Sequence, residues 1–213
     1  MEVSRRGSTK RSRTITLRSC LRCRGAPGRY GWKPLGMQAP ETFETARLRL
    51  RSPRPEDAKV IFDTYVQDPT VTRYLVWLPH QSIETTEKFI AFCIEQWANA
   101  SAFPYVITQK SDARLVGMID FRPHQHGANL GYVLAKEHWG RGIMTEAARC
   151  VVEHAVTQQR LYRVQAFCDV DNIPSSRILE KVGMRREGTL RRYVVHPAVS
   201  SEPRDCYLYA ITR

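Results

Sequence analysis

From residue 45 onward the chain switches repeatedly between a two-residue and a 3.6-residue hydrophobic period. Thr45-Ala-Arg-Leu-Arg-Leu-Arg alternates polar and apolar positions, which predicts a half-buried strand over 47–51. Pro53 and Pro55 end it. Glu56 and Asp57 suit the positive first turn of a helix running to about Gln67, and Asp68-Pro69 breaks that helix. The stretch 70–79 is aromatic-rich, with Tyr74 and Trp77. Ser82 is a candidate N-cap for a second helix, on which Phe89, Phe92, Cys93 and Trp97 recur at helical spacing and are expected in the core. Residues 103–108 and 115–121 are apolar and β-branched on either side of Gln-Lys-Ser-Asp-Ala-Arg, a hairpin, and 130–134 follows as a third strand.

The second half opens with 131–147, GYVLAKEHWGRGIMTEA, which reads as strand, polar turn, Gly-x-Gly loop and helix start. The helix runs from Ile143 to about Gln158 and carries Ala147, Ala148, Val151, Val152 and Ala155 on its inner side, small enough for close packing on a sheet. Residues 163–168 alternate again. Pro174 fits the first turn of a further helix, Gly183 its C-terminal stop, and Asn172 or Ser175 its cap. Residues 205–212 form a last strand. This order predicts one α/β (α+β) domain over 37–213, a mixed and mostly antiparallel sheet flanked by helices.

Charge alters the picture at the N-terminus only. The chain of 213 residues carries +12, but ten Lys/Arg against Glu2 put +9 in residues 1–36. The remaining +3 gives no ground for expecting a nucleic-acid partner, and no stretch approaches a membrane span. The 1–36 segment is rich in Arg, Ser, Gly and Pro and is expected to be a disordered tail. It could be a basic arm, a transit peptide, or lie outside the working protein if Met37 is the real start; the third reading is preferred. Cys93, Cys150, Cys168 and Cys206 sit in apolar segments and are expected as free thiols in a cytoplasmic protein. Cys20-Leu-Arg-Cys23 has ligand spacing but no second pair nearby, so no metal is expected.

The chemistry centres on the glycine loop. Gly140 and Gly142 allow a tight bend, the helix start points unpaired N–H groups at it, and Arg141 and Thr145 add a charge and a hydroxyl. This is an anion site suited to a diphosphate, or else an ordinary strand-to-helix turn. His124 and His126 are acid/base or ligand candidates without a third partner. Trp77 is either core or the wall of an acceptor pocket.

Two motifs in order say more. Trp139-Gly-Arg-Gly-Ile-Met-Thr-Glu-Ala is followed about 25 residues later by Asn172-Ile-Pro-Ser175-Ser-Arg-Ile-Leu-Glu-Lys-Val-Gly183-Met, then Arg186-Glu-Gly and Arg204-Asp205. Together they resemble the GNAT acyltransferase superfamily, and within it the branch of RimJ/RimL-type ribosomal-protein N-terminal acetyltransferases. The opening Glu44-Thr-Ala-Arg-Leu-Arg-Leu-Arg is similar to that branch too, so the resemblance covers 45–213. It implies acetyl-CoA as donor, with the diphosphate on Trp139, Gly140, Arg141, Gly142, Ile143 and Met144, beside the Thr145 hydroxyl. It also implies that pantetheine slips between the strand of Tyr132, Val133 and Leu134 and the strand at 164–168, with Asn172 bonding its arm. A backbone N–H near Val133 or Leu134 would polarise the thioester carbonyl.

The chain departs from the better-known pattern at the proton-transfer positions. Phe167 stands five residues before Asn172, where a Glu is common, Leu179 seven after it, where a Tyr is common, and Asn129 where many relatives carry Glu. Substitutes are Ser175 as acid, Asp169 and Asp120 as bases; proximity alone could also suffice. Trp77, His124 and Tyr193 are candidates to line the acceptor pocket. The reading is N-acetyl transfer in a ternary complex to a protein N-terminus, by a monomer or homodimer. A small-molecule amine acceptor, or an inactive acyl-CoA-binding module, are the alternatives.

Overall fold

In the computed structural model, which describes residues 39–157 and 161–213, the chain forms a twisted sheet with helices on both faces. The expectations for 1–36, for Cys20 and Cys23, and for the helix end near Gln158 lie outside the described residues. The strands are β1 (Thr42–Glu44), β2 (Leu48–Arg51), β3 (Phe103–Gln109), β4 (Leu115–His124), β5 (Gly127–Leu134), β6 (Arg163–Asp169), β7 (Arg185–Val194) and β8 (Arg204–Thr212). Their order across the sheet is β1-β2-β3-β4-β5-β6-β8-β7. All neighbours are antiparallel except β5 and β6, so the sheet is mixed and mostly antiparallel as expected.

Alternation along the strands supplies two cores. Ile107 and Ile119 point to one face, where α4 (Ile143–Thr157) and α5 (Ile173–Val182) cover them with Ala147, Ala148, Val151, Val152 and Leu179. Val106 and Met118 point to the other, under α1 (Asp57–Ile61) and α3 (Ile83–Ala98) with Ile61, Ile90 and Cys93. The small residues on α4 let it approach the sheet closely, as its sequence implies. Asn172 caps α5 by accepting from the Ser175 N–H at 3.3 Å, and Gly183 ends it at φ 98°. No helix among the described residues is long and apolar enough to cross a membrane.

Several expectations needed correction. The helix expected to reach Gln67 is α1 for only five residues and then widens into a π turn, Phe62–Val66. There the Thr64 hydroxyl donates back to the Val60 carbonyl, a bond that loosens a helix. A short helix, α2 (Pro69–Thr72), follows with Asp68 as its cap. Phe92 is exposed, because the inward line of α3 runs through Thr86, Ile90 and Cys93. Strand β7 was not foreseen: nearly all of it is exposed, so it has no apolar face to betray it and depends on pairing with β8.

Gly117 sets the end of β5. A Cβ there would lie 2.3 Å from the Val133 carbonyl oxygen and 3.0 Å from the Leu134 Cα, so β4 and β5 approach more closely than any side chain allows. Gly117→Ala is expected to cost about 1–3 kcal/mol, the cost of overpacking against backbone. Urea denaturation measures it.

Candidate active site

The parallel pairing of β5 with β6 is short. It joins Gly127, Ala128 and Asn129 to Arg163, Val164 and Gln165, and then stops. The last rung is fastened by side chains, Gln165 Nε2 donating to Asn129 Oδ1 at 2.8 Å. Beyond it β5 remains paired to β4 on one side and β6 to β8 on the other. The two strands therefore diverge, and the facing edge of β5 from residue 130 to 134 has backbone N–H and C=O groups without a strand partner. One is taken: the Leu134 carbonyl accepts from Trp139 Nε1 at 2.8 Å.

Side chains flank this split from opposite faces. Tyr132 and Leu134 face α4 and α5, and the Tyr132 hydroxyl crosses to α5, reaching Ser175 Oγ at 2.8 Å and the Ser175 carbonyl at 3.2 Å. Val133 faces the α1 and α3 side with Met118. Asp120 lies two residues beyond Met118 in unbroken register, opposite Gly131, so its carboxylate is on that second face. It touches Arg122, yet its Oδ1 is buried with no hydrogen-bond partner among the described residues. Burial pushes the Asp120 carboxyl above its ordinary range, opposed by the charge and hydrogen bond of Arg122. On the same face of β6, the exposed Phe167 packs edge-on against the exposed Tyr193, ring centroids 5.0 Å apart.

At the end of β5 the chain makes a short turn, Lys136–His138, and enters the glycine loop. Gly140 and Gly142 have φ of 74° and 73°, which bulky side chains rarely adopt. A Cβ at Gly140 would meet nothing within 4 Å, so backbone conformation rather than crowding requires that glycine. Ile143 and Met144 are buried in the first core, leaving their N–H groups, not their side chains, available to a ligand. Beside the loop an open groove of about 490 Å³ is lined by Arg47, Gly142, Thr145, Glu146, Arg149 and Lys181, among others.

Not every foreseen residue reaches the split. Asp169 is fully buried and receives Arg204 through Nε at 2.6 Å and Nη2 at 3.0 Å. Burial raises its carboxyl, but the Arg204 and Asp171 hydrogen bonds and the Arg204 charge outweigh that and hold it below the usual range. It is an ion-pair anchor rather than a base. His124 stands opposite Gly127, at the paired end of β5 and away from the divergence. Trp77 packs on His80 and Phe89 at the margin of the second core. Ser175 bonds Tyr132 instead of capping. The Tyr132 hydroxyl itself was missed; an aromatic in an otherwise aliphatic strand was its one signal. Among the described residues no group of three or more His, Cys, Asp or Glu could hold a metal ion.

Comparison with known proteins agrees with this architecture. A family model described as an acetyltransferase (GNAT) domain matches residues 47–185. The chain is 31% identical over 156 residues to an uncharacterised N-acetyltransferase, p20, of Bacillus licheniformis, spanning 72% of this chain and 87% of that protein. It is 29% identical over 115 residues to the ribosomal-protein-serine acetyltransferase of Escherichia coli K12, spanning 53% and 63%. The microcin C7 self-immunity acetyltransferase MccE, solved in complex with acetyl-CoA and AMP, shares the fold with a TM-score of 0.73 at 22% identity, over 82% of this chain and 98% of that one.

Arg204→Ala leaves the Asp169 charge buried and unpaired, and is expected to cost about 3 kcal/mol in chemical denaturation. Because the folded Asp169 titrates low, its stabilisation is present above the unfolded value of about 3.9 and is lost as pH falls through the lower folded value. In the variant that acid-dependent loss is blunted.

Proposed function

We propose that this chain, which belongs to the GNAT acetyltransferase family, transfers acetyl from acetyl-CoA to the α-amine of a protein N-terminus. The observation that carries the reading is the divergence of β5 from β6, open beside a positive-φ glycine loop at a helix start. The N–H groups of Gly142, Ile143 and Met144 suit a diphosphate. The free edge of β5 suits an extended, amide-bearing arm, which pairs there as an added strand would. Acetyl-CoA supplies both, together with the activated thioester. The solved relative with acetyl-CoA bound supports this choice of donor.

The placement of polar groups supports direct transfer. The amine approaches from the face of Asp120, Phe167 and Tyr193. Its nitrogen forms the new C–N bond as the C–S bond breaks; Asp120 Oδ1 takes the amine proton, directly or through water, and the thiolate receives one from solvent, relayed through the hydroxyl pair of Ser175 and Tyr132, each hydroxyl regaining the proton it passes on. Backbone N–H groups on β5 oppose the charge developing on the carbonyl oxygen. The aromatic pair offers an apolar wall to the acceptor's first residue. The similarity to a ribosomal-protein-serine acetyltransferase supports a protein terminus as acceptor.

Thiol release from acetyl-CoA, followed with a panel of amines, tests the acceptor. Turnover is expected with peptides bearing a free N-terminus and not with the same peptides blocked; turnover confined to polyamines or aminoglycosides overturns the acceptor assignment. Asp120→Asn is expected to lower kcat by about 10²–10⁴. In the wild type the acidic limb of kcat lies above the ordinary carboxylate value of about 3.9, since activity requires the ionised carboxylate, and the variant loses that limb.

A further inference from the structure

The motif at 44–51 contributes a strand to the sheet, but its polar residues do something the strand does not need. Arg47 Nε donates to Glu146 Oε2 at 2.7 Å, and Arg47 Nη1 donates to the Arg141 carbonyl at 3.1 Å. Glu146 Oε1 also accepts from the Thr45 hydroxyl at 2.6 Å and the Arg47 N–H at 3.0 Å. Arg47 is itself pinned to the sheet, its carbonyl accepting from the Lys110 N–H at 2.8 Å. One guanidinium thus ties the start of β2 to both the glycine loop and the first turn of α4.

The bond to Arg141 has a particular consequence. A peptide unit is planar and trans, so its C=O and the following N–H point in opposite directions. Holding the Arg141 carbonyl toward Arg47 therefore aims the Gly142 N–H away from it. The other side of Gly142 is fixed by its carbonyl, which accepts from the Glu146 N–H at 3.0 Å. Gly140, Arg141 and Gly142 are all exposed, and glycine-rich backbone loses much entropy when ordered.

We propose that Arg47, held by Glu146, which Thr45 in turn anchors, is a positioning residue that presets the Gly142 N–H for the cofactor diphosphate. This rests on the acetyl-CoA reading above. Preorganised donors bind without meeting the ordering cost at the moment of binding. Folding is little affected by the bolt, since Arg47 is 52% exposed and such ion pairs contribute little.

Calorimetric titration with CoA, paired with acetyl-CoA kinetics, tests it. Arg47→Ala is expected to weaken CoA binding on the order of tenfold and to raise KM for acetyl-CoA more than it lowers kcat. Arg47→Lys keeps the charge but loses the fork, and is expected to stay weakened; full recovery with lysine overturns positioning in favour of simple charge. Glu146→Ala separates the two most sharply. Positioning requires weaker CoA binding, because the guanidinium is released. A pure charge effect requires tighter binding, because an acid near the anion has gone, and that result overturns the proposal. Wild-type protein that fails to bind CoA overturns the donor reading and this inference with it. Wild-type binding with Arg47→Ala unchanged, within about twofold, overturns this inference alone.

Discussion

A pair of parallel strands that stops pairing after three residues is the constraint on which the rest depends. Continued pairing would satisfy every backbone group and leave no site. Divergence leaves polar edges that must be kept solvated or be met by a ligand. The fold keeps the edges apart by anchoring each strand from its far side, β5 to β4 along eight residues and β6 to β8 along seven. The close approach at Gly117 tightens the first anchor at the very end where β5 is otherwise free. Asn129 and Gln165 fasten the apex with a side-chain bond, so the fork opens at one fixed rung.

The charged residues divide by role around that fork. Arg51 with Asp57, and Arg204 with Asp169, are closed ion pairs whose carboxylates each accept three hydrogen bonds, and Arg204 reaches the exposed Asp171 as well. Such groups hold elements in place. Asp120 differs in having a buried oxygen with no hydrogen-bond partner among the described residues. A carboxyl left in that condition is costly to ionise and therefore ready to take a proton. Two aspartates that look alike in sequence are sorted by a single neighbour: Arg204 closes its grip on Asp169 with two nitrogens, while Arg122 leaves half of Asp120 open.

Periodicity disclosed most of the sheet, and the small-residue stripe of α4 and the Pro174-to-Gly183 frame of α5 were legible because each is a local signal. The glycine loop was legible for the same reason. Strand β7 was not, since Arg185, Arg186, Arg191 and Arg192 lie on an exposed edge with no buried face to impose alternation. The true role of Asp169 was hidden because Arg204 is 35 residues away along the chain. The tie from Arg47 to the loop spans 94 residues. Sequence reveals what neighbours in the chain do to each other; the carboxylates and guanidiniums act on partners that only the fold brings near.

The same division bears on how acyl transfer proceeds. A covalent route through the enzyme needs an activated nucleophile beside the thioester. The thiol next to the fork is Cys168, on the α5 side, where burial pushes it up and holds it neutral, with Ser176 Oγ at 3.3 Å. The Ser175 hydroxyl on α5 is engaged with Tyr132, another hydroxyl whose own acidity burial suppresses. Among the described residues neither is hydrogen-bonded to a carboxylate or an imidazole. Asp120, the base of the proposed transfer, is on the opposite face of the sheet from α5. In the proposed transfer, that separation favours attack by the acceptor itself and leaves the α5 side to receive the departing thiol.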